Sequence, residues 1–127
     1  MFKENFEVRD YECDLQGIVN NAVYQNYLEH TRHQFLKHKG LDFAKLHQEN
    51  IDPVVYRIEI DYKKPLKSGD KFHVCLQIEQ EGNLKFIFKQ QIFRGEELIT
   101  KAKVIIVFTS LGKPILPPKE IIETILS

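Results

Sequence analysis

Four alternating runs between Val54 and Ser110, preceded by one long apolar-striped segment, constrain this chain more than any other feature. Val54, Tyr56, Ile58, Ile60 and Tyr62 alternate with Val55, Arg57, Glu59 and Asp61, the period of a strand. Pro65 and Gly69 break that run. "KFHVCLQIEQ", "LKFIFKQQIFR" and "ELITKAKVIIVFTS" follow, separated at hairpin-like spacing by Gly82-Asn83 and Gly95-Glu96. Phe2, Phe6 and Val8 share one face of an earlier strand. Between these regions, Tyr24, Tyr27, Leu28, Thr31, Phe35 and Leu36 recur at three- and four-residue steps, which predicts a helix of about five turns. Asn20 or Asn21 is placed to cap it, and Gly40 to stop it. "LDFAKLHQEN" and "PKEIIETIL" add short helical segments. The expected class is α+β: a five-stranded, mostly antiparallel sheet wrapped around the one long helix available to cover its inner face.

At 127 residues, 43% hydrophobic and 28% charged, the chain fits one domain spanning 1–127 with one core. Eighteen basic residues balance eighteen acidic ones, so the net field gives nucleic acid or an anionic membrane no general attraction. No apolar run approaches the roughly 20 residues that span a bilayer. The two cysteines, Cys13 and Cys75, are far apart, and the N-terminus lacks the apolar core of a secretory signal, so a cytoplasmic location is expected. Apolar residues at strand positions expected to face outward, namely Ile87, Phe93, Ile99, Ile105 and Val107, suggest a symmetric oligomer.

The chemistry concentrates in "YECDLQGIVNNAVYQNYLEHTR", Tyr11 to Arg32. Asp14 on its own reads first as a turn or capping residue, and its setting adds the reading of a catalytic carboxylate. Gly17 permits a tight turn beside it, and the helix starting near Asn21 supplies free N–H groups at a positive dipole end. An acid beside such donors suits acyl transfer: the carboxylate activates water or attacks the carbonyl, while the amides hold the developing oxyanion. Cys13 is discounted as a nucleophile, since no histidine precedes His30 in this segment to act as its base. His30 and His33 lack an obvious third metal ligand, so no metal is expected. Glu29 can pair with Arg32 or His33, or orient a partner. Lys63, Lys64, Lys67 and Lys71 form a solvated loop or meet the phosphates of a nucleotide-bearing carrier, and no glycine-rich phosphate motif is present.

These residues resemble the single-hotdog acyl thioesterases of the 4-hydroxybenzoyl-CoA thioesterase type. The pattern D-x-x-G-x-V-x-N-x-x-Y-x-x-Y-x-E-x-x-R is carried by Asp14, Gly17, Val19, Asn21, Tyr24, Tyr27, Glu29 and Arg32, and the likeness continues in "YKKPLKSGD". The branch it looks closest to holds plant plastid acyl-lipid and methylketone-type thioesterases. The resemblance implies the hotdog fold, homodimers or homotetramers, acyl-CoA or acyl-carrier-protein thioesters as substrates, and no cofactor. Asp14 would be the catalytic carboxylate and the Asn21 N–H the carbonyl-polarising donor. Gly17, Val19, Asn20, Tyr24 and Tyr27 would shape the pocket, Glu29 would support it, and Val54, Val55 and Tyr56 would form the wall supplied across a dimer interface. Two other readings are a non-catalytic acyl-thioester-binding protein and a hotdog enoyl hydratase or dehydratase.

Overall fold

The computed structural model describes residues 1–127. Strand β1 (Phe2–Glu7) leads through a 3-10 turn at Asp10–Glu12 to the long helix α1 (Asn21–His38). The short helix α2 (Phe43–Gln48) precedes strands β2 (Asp52–Tyr62), β3 (Lys71–Glu81), β4 (Lys85–Arg94) and β5 (Glu97–Ser110). A three-residue strand β6 (Lys113–Ile115), which the sequence pattern does not announce, and helix α3 (Lys119–Leu126) complete the chain.

Both ends of α1 follow from local chemistry. The Asn20 side chain accepts the Ala22 N–H at 3.0 Å, a cap worth about 1 kcal/mol. At the far end Gly40, at φ +79°, bonds back to Lys37 O while the Leu41 N–H reaches Leu36 O, which closes the helix in a Schellman motif. Leu28, Phe35 and Leu36 are buried along the inward stripe, each contributing about 1.5–3 kcal/mol of apolar burial.

Every strand pairing is antiparallel, in the order β1-β3-β4-β5-β2, with β6 on the end of β5. Strands β3, β4 and β5 are sequential hairpins, whereas β2 crosses to the far side and becomes an edge. The sheet and α1 give the hotdog architecture. The core falls into two apolar clusters: Tyr24, Tyr27 and Leu28 of α1 join one with Ile92, and Phe35 and Leu36 join the other with Phe86 and Phe88. Between them lie two buried polar residues, Arg32 of α1 and Gln90 of β4.

Several expected positions shift. Val8 lies just past β1 and is buried, exchanging backbone bonds with Gly69 and Asp70. Ile99 does not face outward: beside the irregularity at Ile92/Phe93 it turns into the core, fully buried. Ile87 and Ile105 stand opposite each other and are only 1% and 8% exposed, while Phe93 and Val107 are half-buried. The exposed apolar row lies instead on edge strand β2, at Val54, Val55, Tyr56, Ile58 and Tyr62.

Candidate active site

Asp14 opens a turn whose residue types fit their positions. The Gly17 N–H bonds to Asp14 O at 3.0 Å and the Asp14 N–H to Ile18 O at 2.9 Å. Asp favours the first turn position, and the left-handed backbone of Gly17, at φ +80°, lets the strand resume after a three-residue loop. Asp14 Oδ1 accepts the Gln16 N–H at 2.8 Å, so the carboxylate does serve as a turn residue. Its other oxygen makes no protein bond and the residue is exposed.

The returning arm of this hairpin runs directly into α1. Cys13 pairs with Val19, and the Asn20 N–H bonds to Glu12 O at 3.1 Å. The Val19 N–H bonds to Leu66 O at 2.8 Å and Ile18 pairs with Lys67, which ties the hairpin to the loop before β3. Buried Val19 anchors it in the core. Asn20 N–H, Ala22 N–H and Val23 N–H are all satisfied, whereas the N–H of exposed Asn21 has no acceptor in the chain. That is a preorganised donor at the positive end of an 18-residue helix.

Tyr24 and Tyr27 are placed in the core, 3% and 4% exposed. The Tyr24 hydroxyl accepts the buried Leu66 N–H at 2.9 Å, and the Tyr27 hydroxyl donates to Glu12 Oε1 at 2.9 Å. Burial pushes both phenols above their ordinary range, and for Tyr27 the Glu12 carboxylate adds to it. Their hydroxyls fix the helix start to the hairpin and to the lysine loop. Glu29 is exposed on α1 and forms no ion pair with Arg32 or His33.

His30 and His33 each rest against an aromatic ring, Phe6 at 5.5 Å and Phe43 at 4.9 Å between centroids. No group of three or more His, Cys, Asp or Glu side chains gathers to hold a metal. Val54, Val55 and Tyr56 are 45%, 43% and 61% exposed on β2, away from the Asp14 turn in sequence, with Val55 facing α1 across a cleft and Lys85 Nζ 5.1 Å from the centroid of the Tyr56 ring. Tyr56 is the extra residue of a bulge between Val55 and Arg57. One chain thus brings together Asp14, Gly17, Val19, Asn20 and Asn21, and leaves the β2 trio on an open edge.

Arg32 pairs with Gln90, a contact that the residue spacing does not announce. The Arg32 Nη1–H donates to Gln90 Oε1 at 3.1 Å, and Gln90 Nε2–H to Leu28 O at 3.0 Å. A signal existed in the sequence, since Arg32 lies four residues after inward Leu28 and Gln90 interrupts the inward row Phe86, Phe88 and Ile92.

Comparison with known proteins agrees with this architecture. The model of the thioesterase-like superfamily matches residues 8–125, and the chain belongs to that family: it is a hotdog thioester hydrolase. Over 104 residues it is 38% identical to the Arabidopsis thaliana protein named acyl-acyl carrier protein thioesterase ATL3, chloroplastic, covering 80% of this chain and 55% of that protein, so it spans about half the plant relative's length. It is 29% identical to the acyl-CoA thioesterase YbgC of Haemophilus influenzae, over 92% of this chain and 90% of the other. The crystal structure of a hypothetical protein from Aquifex aeolicus superposes with a TM-score of 0.92 at 32% identity, covering 98% of this chain and 99% of that one.

Proposed function

We propose that the protein hydrolyses acyl-CoA or acyl-carrier-protein thioesters to a free acid and a thiol, with Asp14 and the Asn21 N–H as the working pair. The observation that carries this reading is the unpaired Asn21 amide at the start of α1, reached by the same hairpin arm whose turn begins at Asp14. Asp14, as base, takes a proton from water, whose oxygen adds to the thioester carbon; as nucleophile, it adds there itself. The carbonyl oxygen gains charge and is held by the Asn21 N–H, then the C–S bond breaks and the thiolate leaves and takes up a proton; on the nucleophile route a water then cleaves the acyl–Asp14 anhydride, releasing the acid and restoring the carboxylate.

The exposed apolar edge supports a homodimer in which β2 pairs with β2 of a second copy, and Val54, Val55 and Tyr56 then wall the site of the neighbour. A tetramer is a further pairing of such dimers. Lys63 and Lys67 are exposed on the loop bound to the hairpin through Ile18 and Lys67, and exposed Lys71 opens β3 at its end, where they would meet carrier phosphates; Lys64 is already paired with Glu97 at 2.7 Å. No helix is long and apolar enough to cross a membrane. A cytoplasmic setting accompanies the reading, supported by Cys13 and Cys75 both being free thiols.

The test follows thiol release from matched acyl groups on CoA and on carrier protein, with water addition to an enoyl-CoA measured in parallel. Hydrolysis of at least one carrier form with no hydration is expected. Hydration without thiol release would assign a hydratase, and tight binding without turnover would assign an acyl-binding protein.

A further inference from the structure

Arg32 is 6% exposed and uses one guanidinium N–H on Gln90, yet no carboxylate lies within ion-pair reach. Gln90, fully buried, in turn bonds to Leu28 O, which holds the guanidinium near the level of Leu28, one turn toward the helix start from its own backbone. From Asn21 to Leu28 the helix rises about 10 Å.

Arg32 also lines a cleft of about 250 Å³ between α1 and β2, together with Gln25 and Glu29 of the helix and Val55 and Ile58 of the strand. Asn21, Gln25, Glu29 and Arg32 follow one another at helical spacing on one face of α1, so the cleft lies on the same helix face as the unpaired amide, starting one turn further along at Gln25. The Glu29 carboxylate on the same cleft acts on this cation only from beyond ion-pair distance, so a largely buried guanidinium keeps donors that call for acceptors.

We propose that Arg32 is a specificity-determining residue that reads the far end of the acyl group, favouring a terminal carboxylate over a terminal hydroxyl and either over a methyl. The inference rests on the thioesterase reading, with the thioester carbonyl at the Asn21 N–H and the acyl chain lying along the cleft past Gln25 and Glu29. A carboxylate there gains a charge-assisted, two-pronged contact with the guanidinium, whereas a methyl-ended chain covers the donors without bonding them.

The experiment measures kcat/KM for suberyl-, ω-hydroxyoctanoyl- and octanoyl-CoA with the wild type, Arg32→Lys and Arg32→Met, each checked for cooperative melting. The wild type is expected to favour the carboxylate-ended thioester over the methyl-ended one by about 10- to 100-fold. Arg32→Lys keeps part of that ratio and Arg32→Met abolishes it. Equal wild-type values for the three thioesters, or an unchanged ratio in Arg32→Met, would overturn the inference while leaving thioester hydrolysis standing. If Arg32→Met does not fold, the wild-type ratio decides alone. Absence of hydrolysis of any thioester by the folded wild type would remove both the thioesterase reading and this inference.

Discussion

The Asn20 N–H donates to the Glu12 carbonyl at 3.1 Å, which pins the start of α1 to the arm of the hairpin that leads into Asp14. One backbone bond thereby couples the position of the acid to that of the helix amides. Because the donor role falls on a main-chain N–H, it is tested by removing the N–H rather than the side chain. Asn21 is the first helical residue, where proline is tolerated, and Asn20 at φ −63° and ψ 138° is already in the conformation that precedes a proline. Asn21→Pro is expected to melt within about 1 kcal/mol of the wild type while kcat falls about 100- to 1000-fold, measured by thermal denaturation and thiol release.

The β2 edge yields a second prediction. Val55→Lys combined with Tyr56→Lys places like charges opposite one another when two copies pair through this strand, a cost of several kcal/mol. The mass in solution should fall to that of one chain at 15.0 kDa, and thioester hydrolysis should fall with it. Light scattering and the activity assay read the two effects together.

Tyr24 makes a third case. Its hydroxyl is the acceptor for the buried Leu66 N–H, so Tyr24→Phe leaves that donor unmet. A loss of about 1–3 kcal/mol in unfolding free energy is expected from denaturant titration.

Acid sensitivity follows from the ion pairs around Arg94. Burial alone would raise the Asp70 carboxyl, but the Lys67 N–H at 3.0 Å and the Arg94 guanidinium at 2.7 Å hold it below its ordinary value. Lys64 first, then Arg94, does the same for Glu97. A carboxyl lowered on folding stabilises the protein above its unfolded pKa, and that contribution is lost as pH falls through the folded value, here below about pH 4. Arg94→Gln should lower the melting temperature at neutral pH and move acid unfolding to higher pH, as a melting series across pH would record.

Much of the fold was legible because its signals are local. The period of two in β2 to β5, the stripe on α1, the Asn20 cap and the Gly40 stop all depend on neighbouring residues. What escaped depends on partners distant in sequence. The bulge at Tyr56 exists only relative to β5, and Ile99 turns inward only because its pairing with β4 slips beside Ile92. The acyl-transfer motif could be read from spacing, but not that the Tyr24 and Tyr27 hydroxyls would be taken by Leu66 and Glu12, nor that Arg32 would meet Gln90 across the core. Side-chain hydrogen bonds across many residues leave no periodic trace.

The central claim is that Asp14 performs the chemistry, and Asp14→Asn tests it most directly. The amide keeps an oxygen for the Gln16 N–H, so the turn should persist and the melting temperature should hold. Measured by thiol release on the best acyl-CoA or acyl-carrier-protein thioester, kcat should fall about 100- to 10,000-fold. A variant that folds and turns over at the wild-type rate would contradict the account.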